Sequence, residues 1–105
     1  AGQKDAFGLV FEGLVEVPKD GAYVFYTESD DGSRLVVGDE LVVDNDGCHP
    51  MRLAGGEMNL KTGLHRIRVE YFDRAGSEGL VVSWKGPDIP RQPIPAAALF
   101  RRPGT

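Results

Sequence analysis

The fold class follows from residues 64–72, which read Leu-His-Arg-Ile-Arg-Val-Glu-Tyr-Phe. Ile67, Val69 and Tyr71 fall on every second position of this stretch, and charged residues fall between them. A period of two is the side-chain repeat of a β-strand, whereas a helix repeats about every 3.6 residues. Residues 64–72 are therefore predicted to form a strand with one buried face and one solvated face.

The same alternation occurs in the segments on both sides of this stretch. Turn signals such as Pro18-Lys19-Asp20-Gly21 and Gly38-Asp39-Glu40 separate these segments. Trp84 is the expected core anchor of the last strand, because a large aromatic side chain buries the most apolar surface. The six further predicted strands are 8–17, 22–27, 34–37, 41–44, 58–60 and 80–85.

Three regions are predicted to lie outside these strands. Residues 29–33 (Ser-Asp-Asp-Gly-Ser) and 54–56 (Ala-Gly-Gly) are polar or glycine-rich, which is typical of loops. Prolines at positions 90, 93 and 95 exclude a central strand there, since proline cannot donate a backbone hydrogen bond. Residues 95–99 are predicted to form one helical turn with proline at its first position, in a tail that lies across the sandwich.

Seven short strands without a helical pattern longer than one turn indicate two packed antiparallel sheets. We therefore predict an all-β fold, a jelly-roll-like antiparallel β-sandwich. A length of 105 residues suits one core, so residues 1–105 are predicted to form a single domain.

Composition narrows the possible partners. The net charge is −4 without a basic stripe, which argues against nucleic acid as a partner. No charged start followed by an apolar run predicts a signal peptide in this stretch, and no apolar run approaches the roughly 20 residues needed to span a bilayer, so no membrane span is expected. Cys48 is the sole cysteine and cannot form an internal disulfide.

A series of short motifs runs along nearly the whole chain in a fixed order. It begins with Phe-Glu-Gly at 11–13, the segment 17–25, and Ser-Asp-Asp-Gly-Ser-Arg-Leu at 29–35. It continues through segments 42–47, 69–72, 79–84 and 94–99. The aspartate pair after an aromatic strand, followed by the other motifs in this order, resembles the PA14 family, the anthrax protective antigen domain.

This resemblance implies a β-sandwich module of the kind found in secreted glycosidases, bacterial adhesins, toxins and yeast flocculation adhesins. It implies a location that is extracellular, at the cell surface or periplasmic, and a non-catalytic role. Several members of the family bind glycans through a calcium ion. The expected partners are thus a glycan or oligosaccharide and the other domains of a parent chain, and the isolated chain is expected to be a monomer.

The resemblance places a calcium site at Asp30 and Asp31. Calcium takes six to eight oxygen ligands at about 2.3–2.6 Å, and the family brings both carboxylates to one ion through a cis Asp-Asp peptide, so a cis Asp30-Asp31 bond is predicted. A second loop, 73–79, offers Asp73, Ser77 and Glu78 as further metal ligands, with Ser77 and Glu78 also facing the sugar. In the alternative interpretation, Asp30 and Asp31 accept hydrogen bonds from turn amides, have Arg34 as a charge partner, and bind no metal.

Other chemistry is poorly supported by the sequence. An EF-hand beginning at Asp44 would need a glutamate at position 55, which is glycine. His49 and His65 lack neighbouring zinc ligands, and no nucleophile motif is present, so an enzyme is not expected. Two functions remain: a calcium-dependent glycan-binding or adhesion module, or a ligand-free structural or protein-interaction module that packs against a catalytic or haem domain of its parent chain.

Overall fold

The fold is described from a computed structural model, which covers residues 7–29, 32–45, 52–73 and 80–101. In these residues two antiparallel sheets face each other, as predicted for an all-β sandwich. The described residues form nine strands and one short 3-10 helix, Ala96–Ala98. The strands are β1 Phe7–Val17, β2 Gly21–Ser29, β3 Ser33–Val37, β4 Glu40–Asn45, β5 Arg52–Leu60, β6 Gly63–Asp73, β7 Leu80–Gly86, β8 Ile89–Pro93 and β9 Leu99–Arg101.

The strands are divided between a five-stranded and a four-stranded sheet. The five-stranded sheet has the order β4-β3-β6-β1-β9, and the four-stranded sheet has the order β5-β2-β7-β8. Consecutive strands β1 and β2 lie in different sheets, as do β2 and β3. The chain therefore crosses between the layers at the turn 18–20 and again at residues 30–32.

Alternation places one face of each strand in the core, as the sequence predicts. Ile67, Val69 and Tyr71 of β6 are buried, whereas Arg66 on the other face is exposed. Trp84 is 3% exposed, and its ring lies 5.7 Å from that of Tyr23 and 6.3 Å from that of Phe25. Among the described residues, the other buried apolar side chains are Val15, Val17, Leu35, Val37, Val43, Leu60 and Ile94.

The prediction of a loop at 54–56 was wrong, because these residues lie inside β5. Their glycines stand where other groups approach the strand closely. A Cβ on Gly56 would lie 1.8 Å from the carbonyl oxygen of Val42, and one on Gly55 would lie 2.9 Å from the Tyr26 ring. Glycine in a strand often marks such an approach, so here it indicates packing rather than a turn.

The proline-rich tail contains two strands that the sequence pattern did not predict. Pro90 and Pro93 belong to β8, which is an edge strand, where a missing N–H is tolerated. The helical turn is confirmed at Ala96–Ala98, although Pro95 precedes it instead of occupying its first position. β9 then pairs with β1 and extends the five-stranded sheet.

Candidate functional site

The strand ends that flank the predicted loops meet at one end of the sandwich. Ser29 at the end of β2 lies opposite Leu80 at the start of β7 and opposite Arg52 at the start of β5. Ser33 at the start of β3 lies opposite Asn45 of β4 and Tyr71 of β6. We call this end, with Ser29, Ser33, Asn45 and Leu80, the loop end.

Most of the predicted metal and sugar ligands lie outside the described residues. These are Asp30, Asp31, Ser77 and Glu78, and the predicted cis Asp30-Asp31 peptide lies outside them too. Asp73 is the last residue of β6, and its side chain is also outside the description. The strand ends Ser29, Ser33, Asp73 and Leu80 all lie at the loop end, so the predicted loops 29–33 and 73–79 both start and finish there.

A cluster of four buried polar side chains lies at the loop end. Thr27, Ser29, Ser33 and Asn45 are each 0% exposed. The hydroxyl oxygens of Ser29 and Ser33 are 2.8 Å apart, and the Ser33 hydroxyl donates to that of Thr27 at 3.0 Å. The Asn45 side-chain amide donates to the Ser29 hydroxyl at 3.3 Å and to the Thr27 carbonyl oxygen at 3.5 Å.

We call these four residues the polar cluster. Thr27 and Ser29 belong to the four-stranded sheet, whereas Ser33 and Asn45 belong to the five-stranded sheet. Each of the four hydrogen bonds named above therefore joins one sheet to the other. The polar cluster ties the two layers together directly beside residues 30–32.

Sequence reasoning placed Ser29 and Ser33 in a polar loop, but they are strand ends that face the core. The sequence did contain a signal of their burial, which is their position in the inward and outward alternation of the strands. Thr27 and Ser29 continue the inward-facing positions of Tyr23 and Phe25, and Ser33 precedes the inward-facing Leu35. Polar residues at inward positions beside a turn indicate a buried hydrogen-bonded group, because such groups are stable in a core only when they are paired.

Arg34 follows the inward-facing Ser33 on β3, and its expected role as a charge partner of Asp30 and Asp31 involves residues outside the described ones. Its guanidinium lies 3.8 Å from the Asp44 carboxylate and 3.6 Å from that of Glu70. Arg68 pairs with Glu70 at 2.9 Å and also with Glu12. The hydrogen bond that Arg68 donates to the Glu70 carboxylate, with the one it donates to Glu12, raises the pKa of Arg68 above its usual value. A row of paired charged side chains thus crosses the outer face of the five-stranded sheet.

Among the side chains described within residues 7–29, 32–45, 52–73 and 80–101, no group of three or more His, Cys, Asp or Glu is arranged to hold a metal ion. The ring of His65 lies with Nε2 2.7 Å from the Lys61 carbonyl oxygen. His49 and Cys48 are outside the described ranges. In the described part of the chain, no helix has the length and apolar character that crossing a bilayer requires.

An apolar cavity of about 180 Å³ lies between the sheets near β9. Its lining includes Phe11 of β1, Val82 of β7, Ile94 and Leu99. The other margin of the sandwich is closed, because the Val42 carbonyl of β4 lies directly over Gly56 of β5. The two margins of the sandwich therefore differ in packing.

Comparison with known proteins supports the family resemblance. A family model described as "PA14 domain" matches residues 1–98. The anti-sigma-I factor RsgI3 of Acetivibrio thermocellus is 26% identical over 102 residues, which is 96% of this chain and 16% of that protein.

Two solved structures share the fold over most of the chain. An anti-sigma factor domain-containing protein from Clostridium clariflavum superposes with a TM-score of 0.86 at 22% identity, covering 100% of this chain and 37% of that one. A structure titled "PA14 sugar-binding domain from RTX adhesin" superposes with a TM-score of 0.78 at 22% identity, covering 90% of this chain and 54% of that one. The chain thus spans only part of each of these relatives.

Proposed function

Because this chain belongs to the PA14 domain family, we propose that it is a non-catalytic glycan-binding or adhesion module of a larger secreted or cell-surface protein. The family match over residues 1–98 is the observation that carries this proposal. The likeness to the sugar-binding domain of an RTX adhesin supports it. In this role the module would lie outside the cell or in the periplasm, as part of its parent chain.

The proposed binding site is the loop end, with Asp30 and Asp31 as the principal calcium ligands. Asp73, Ser77 and Glu78 would complete the coordination from the second loop, and Ser77 and Glu78 would also contact the sugar. Calcium prefers carboxylate and other oxygen ligands, which fits this set of side chains. When bound, a calcium ion would supply coordination positions for two neighbouring sugar hydroxyl groups.

Two observations on the described residues support this site. The strands on both sides of the two loops are hydrogen-bonded neighbours, since Ser29 lies opposite Leu80 and Ser33 lies opposite Tyr71. The side chains of Ser29 and Ser33 are also fully buried and hydrogen-bonded to each other, so the residues next to the aspartate pair are held firmly.

The proposal is tested by thermal unfolding in excess calcium and in chelator. We expect calcium to raise the melting temperature, because a ligand at about 100 times its Kd stabilises the folded state by roughly 2.7 kcal/mol. The increase should disappear in Asp30→Asn with Asp31→Asn, which keeps the size and hydrogen-bonding oxygen of both side chains but removes their charges. Asp39→Asn, on the β3–β4 turn, is the matched control and should keep the increase.

A glycan array probed in calcium and in chelator then tests sugar binding. We expect binding in calcium alone, and its loss in the double variant. A wild-type melting temperature that is identical in calcium and in chelator would refute the calcium site. Glycan binding that persists in chelator would retain the glycan-binding module but place its sugar contacts elsewhere.

The second candidate function is a ligand-free module that packs against another domain of its parent chain. Val10, Leu64 and Phe100 favour it, because they share the outer face of the five-stranded sheet and are 54%, 57% and 43% exposed. The chain also spans only 16% of the length of its anti-sigma-I factor relative, so neighbouring domains are available in that protein. This function requires neither a calcium effect nor glycan binding, so the same two measurements separate the candidates.

A further inference from the structure

The apolar cavity near β9 has a floor of buried side chains that come from different elements. Ile67 and Val69 belong to β6, and Ile94 belongs to the segment between β8 and the 3-10 helix. All three are buried. The backbone N–H of Ile94 donates to the Val82 carbonyl oxygen at 3.1 Å, which ties this segment to β7. The floor therefore consists of apolar side chains on anchored backbone.

The rim of the cavity is formed by half-buried side chains from both sheets. Phe11 and Leu99 belong to β1 and β9 of the five-stranded sheet, whereas Leu80 and Val82 belong to β7 of the four-stranded sheet. In the described part of the chain, β8 and β9 end their sheets at this margin and do not pair with each other, and the cavity is partly open. A small molecule can thus reach the floor without unfolding of the sandwich.

The chemistry of the walls determines which class of molecule suits the cavity. Every described residue that lines it carries a hydrocarbon side chain, so these side chains offer water neither a donor nor an acceptor. Water is stable in a cavity only where polar groups can bind it, and apolar cavities stay dry. An apolar molecule gains free energy by leaving water for such a surface, as a buried apolar side chain does. The cavity therefore favours apolar ligands over polar ones.

The volume of the cavity sets the size of the ligand. It measures about 180 Å³. An engineered apolar cavity of about 150 Å³ in another protein binds benzene. We propose that the cavity between β1, β6, β7 and β9 is a binding site for a compact apolar molecule of about six carbon atoms, such as a single unsubstituted ring. This site is separate from the proposed calcium site and does not depend on it.

The test is a titration of benzene into the 105-residue chain, followed by NMR of the methyl groups. Pyrazine is the matched probe, because it has the same ring size but carries nitrogen atoms at opposite ends, so one nitrogen faces the apolar walls in any orientation. Val82→Phe is the blocking variant, since it places a ring in the cavity, and Val82→Ile is a milder second variant. Val81→Phe is the matched control, because Val81 points outward. Thermal unfolding without ligand shows whether each variant folds.

We expect benzene to shift the methyl signals of Ile67, Val69 and Ile94 and to reach saturation, while the exposed Leu53 changes little. Pyrazine should bind at least roughly tenfold more weakly, because burying a polar atom without a hydrogen-bond partner costs free energy. Val82→Phe should abolish benzene binding. Val82→Ile should weaken it, because the added methylene group occupies part of the space.

Several results would overturn the proposal. Benzene shifts that rise without saturation and are equally large at Leu53 would show non-specific association. Equal affinity for benzene and pyrazine would contradict the apolar character of the site. Wild-type affinity in Val82→Ile and in a folded Val82→Phe, or loss of binding in a folded Val81→Phe, would place the ligand elsewhere. None of these results bears on calcium, which the comparison of melting temperatures tests separately.

Discussion

The carboxylate of Asp20 joins two turns at the end of the sandwich opposite the loop end. Asp20 lies between β1 and β2, and it accepts hydrogen bonds from the backbone N–H of Thr62 at 2.7 Å and from the Thr62 hydroxyl at 3.0 Å. The backbone hydrogen bond, with help from the hydroxyl, lowers the pKa of Asp20 below its ordinary value of 3.8. The ionised form is therefore the one that stabilises the folded state.

Asp20→Asn is expected to remove part of the acid sensitivity of folding. Because the folded pKa is lowered, the contribution of Asp20 is fully present above 3.8 and is lost as the pH falls through the folded value. The asparagine oxygen can still accept both hydrogen bonds but does not titrate in this range. The difference in unfolding free energy between wild type and variant should thus shrink from about pH 6 to about pH 2.5, as measured by urea denaturation.

Thr62→Val is the informative companion to this variant. It removes the hydroxyl donor but keeps the backbone N–H, which is the larger cause of the lowered pKa of Asp20. It should therefore reduce the pH dependence only in part. A wild-type advantage over Asp20→Asn that stays constant across the acid range would show that this carboxylate does not contribute through its charge.

At the scale of the strand, β5 shows what a close approach between two sheet edges requires. Gly56 faces inward opposite Phe25, and the carbonyl of Val42 on β4 occupies the space that a side chain would need. The obstacle is backbone, which cannot rotate away as a flexible side chain can. The contact between β4 and β5 closes this margin of the sandwich.

Gly56→Ala is expected to destabilise the fold by about 3 kcal/mol or more, because the added methyl group must push the two strands apart. Gly38→Ala is the comparison. Gly38 has a φ of 62°, but a Cβ there would meet nothing within 4 Å, so only a left-handed backbone cost of about 1–2 kcal/mol is expected. Chemical denaturation measures both, and equal effects would contradict the assigned role of Gly56.

The strands differ in how well the sequence alone predicts them. The strand at β6 could be predicted because its alternation is continuous and its register places Ile67 and Val69 in the core. The strand at β5 could not be predicted in full, since Gly55 and Gly56 have the composition of a turn and only their neighbours in space explain them. β9 is three residues long, which is too short to show a period.

Prediction of the candidate site was limited in a similar way. The motif around Asp30 and Asp31 was visible because its residues are contiguous. The polar cluster was missed because Asn45 reaches Ser29 from a distant part of the sequence. Side chains of Ser, Thr and Asn beside a turn suggest solvent exposure. The inward positions of Thr27, Ser29 and Ser33 were the sequence signal against it, and the pairing of β2, β3 and β4 shows that they are buried together with Asn45.

At the scale of the whole molecule, the sandwich is tightly closed at the β4–β5 margin and loosely filled near β9. The cavity of about 180 Å³ there is lined by apolar side chains that include Val69, Val82 and Leu99. This apolar cavity is partly open, and its walls lack some of the van der Waals contacts that a filled core provides, so a larger apolar side chain there is expected to increase stability.

Val82→Ile is expected to stabilise the fold by roughly 0.8 kcal/mol, since it buries one more methylene group in existing space. Val81→Ile is the matched control on the neighbouring residue, which points outward and is 39% exposed, and it should change stability by less than about 0.5 kcal/mol. Urea denaturation compares the two. A destabilising Val82→Ile would mean that the cavity cannot accept an added methylene group.

The pairing of β1 with β9 also determines how the molecule responds to mechanical tension. β1 starts at the loop end and runs away from it, whereas β9 runs back toward that end, with Arg101 opposite Gly13 and Leu99 opposite Val15. Pulling on the chain before β1 and after β9 separates these strands as a zipper opens, one hydrogen-bonded pair after another. Among the described residues, three pairs join β9 to β1, so we expect β9 to detach first and to remove Leu99 from the wall of the apolar cavity. Under tension the sandwich yields along this edge, while β2, β3 and β4 continue to hold the loop end in place.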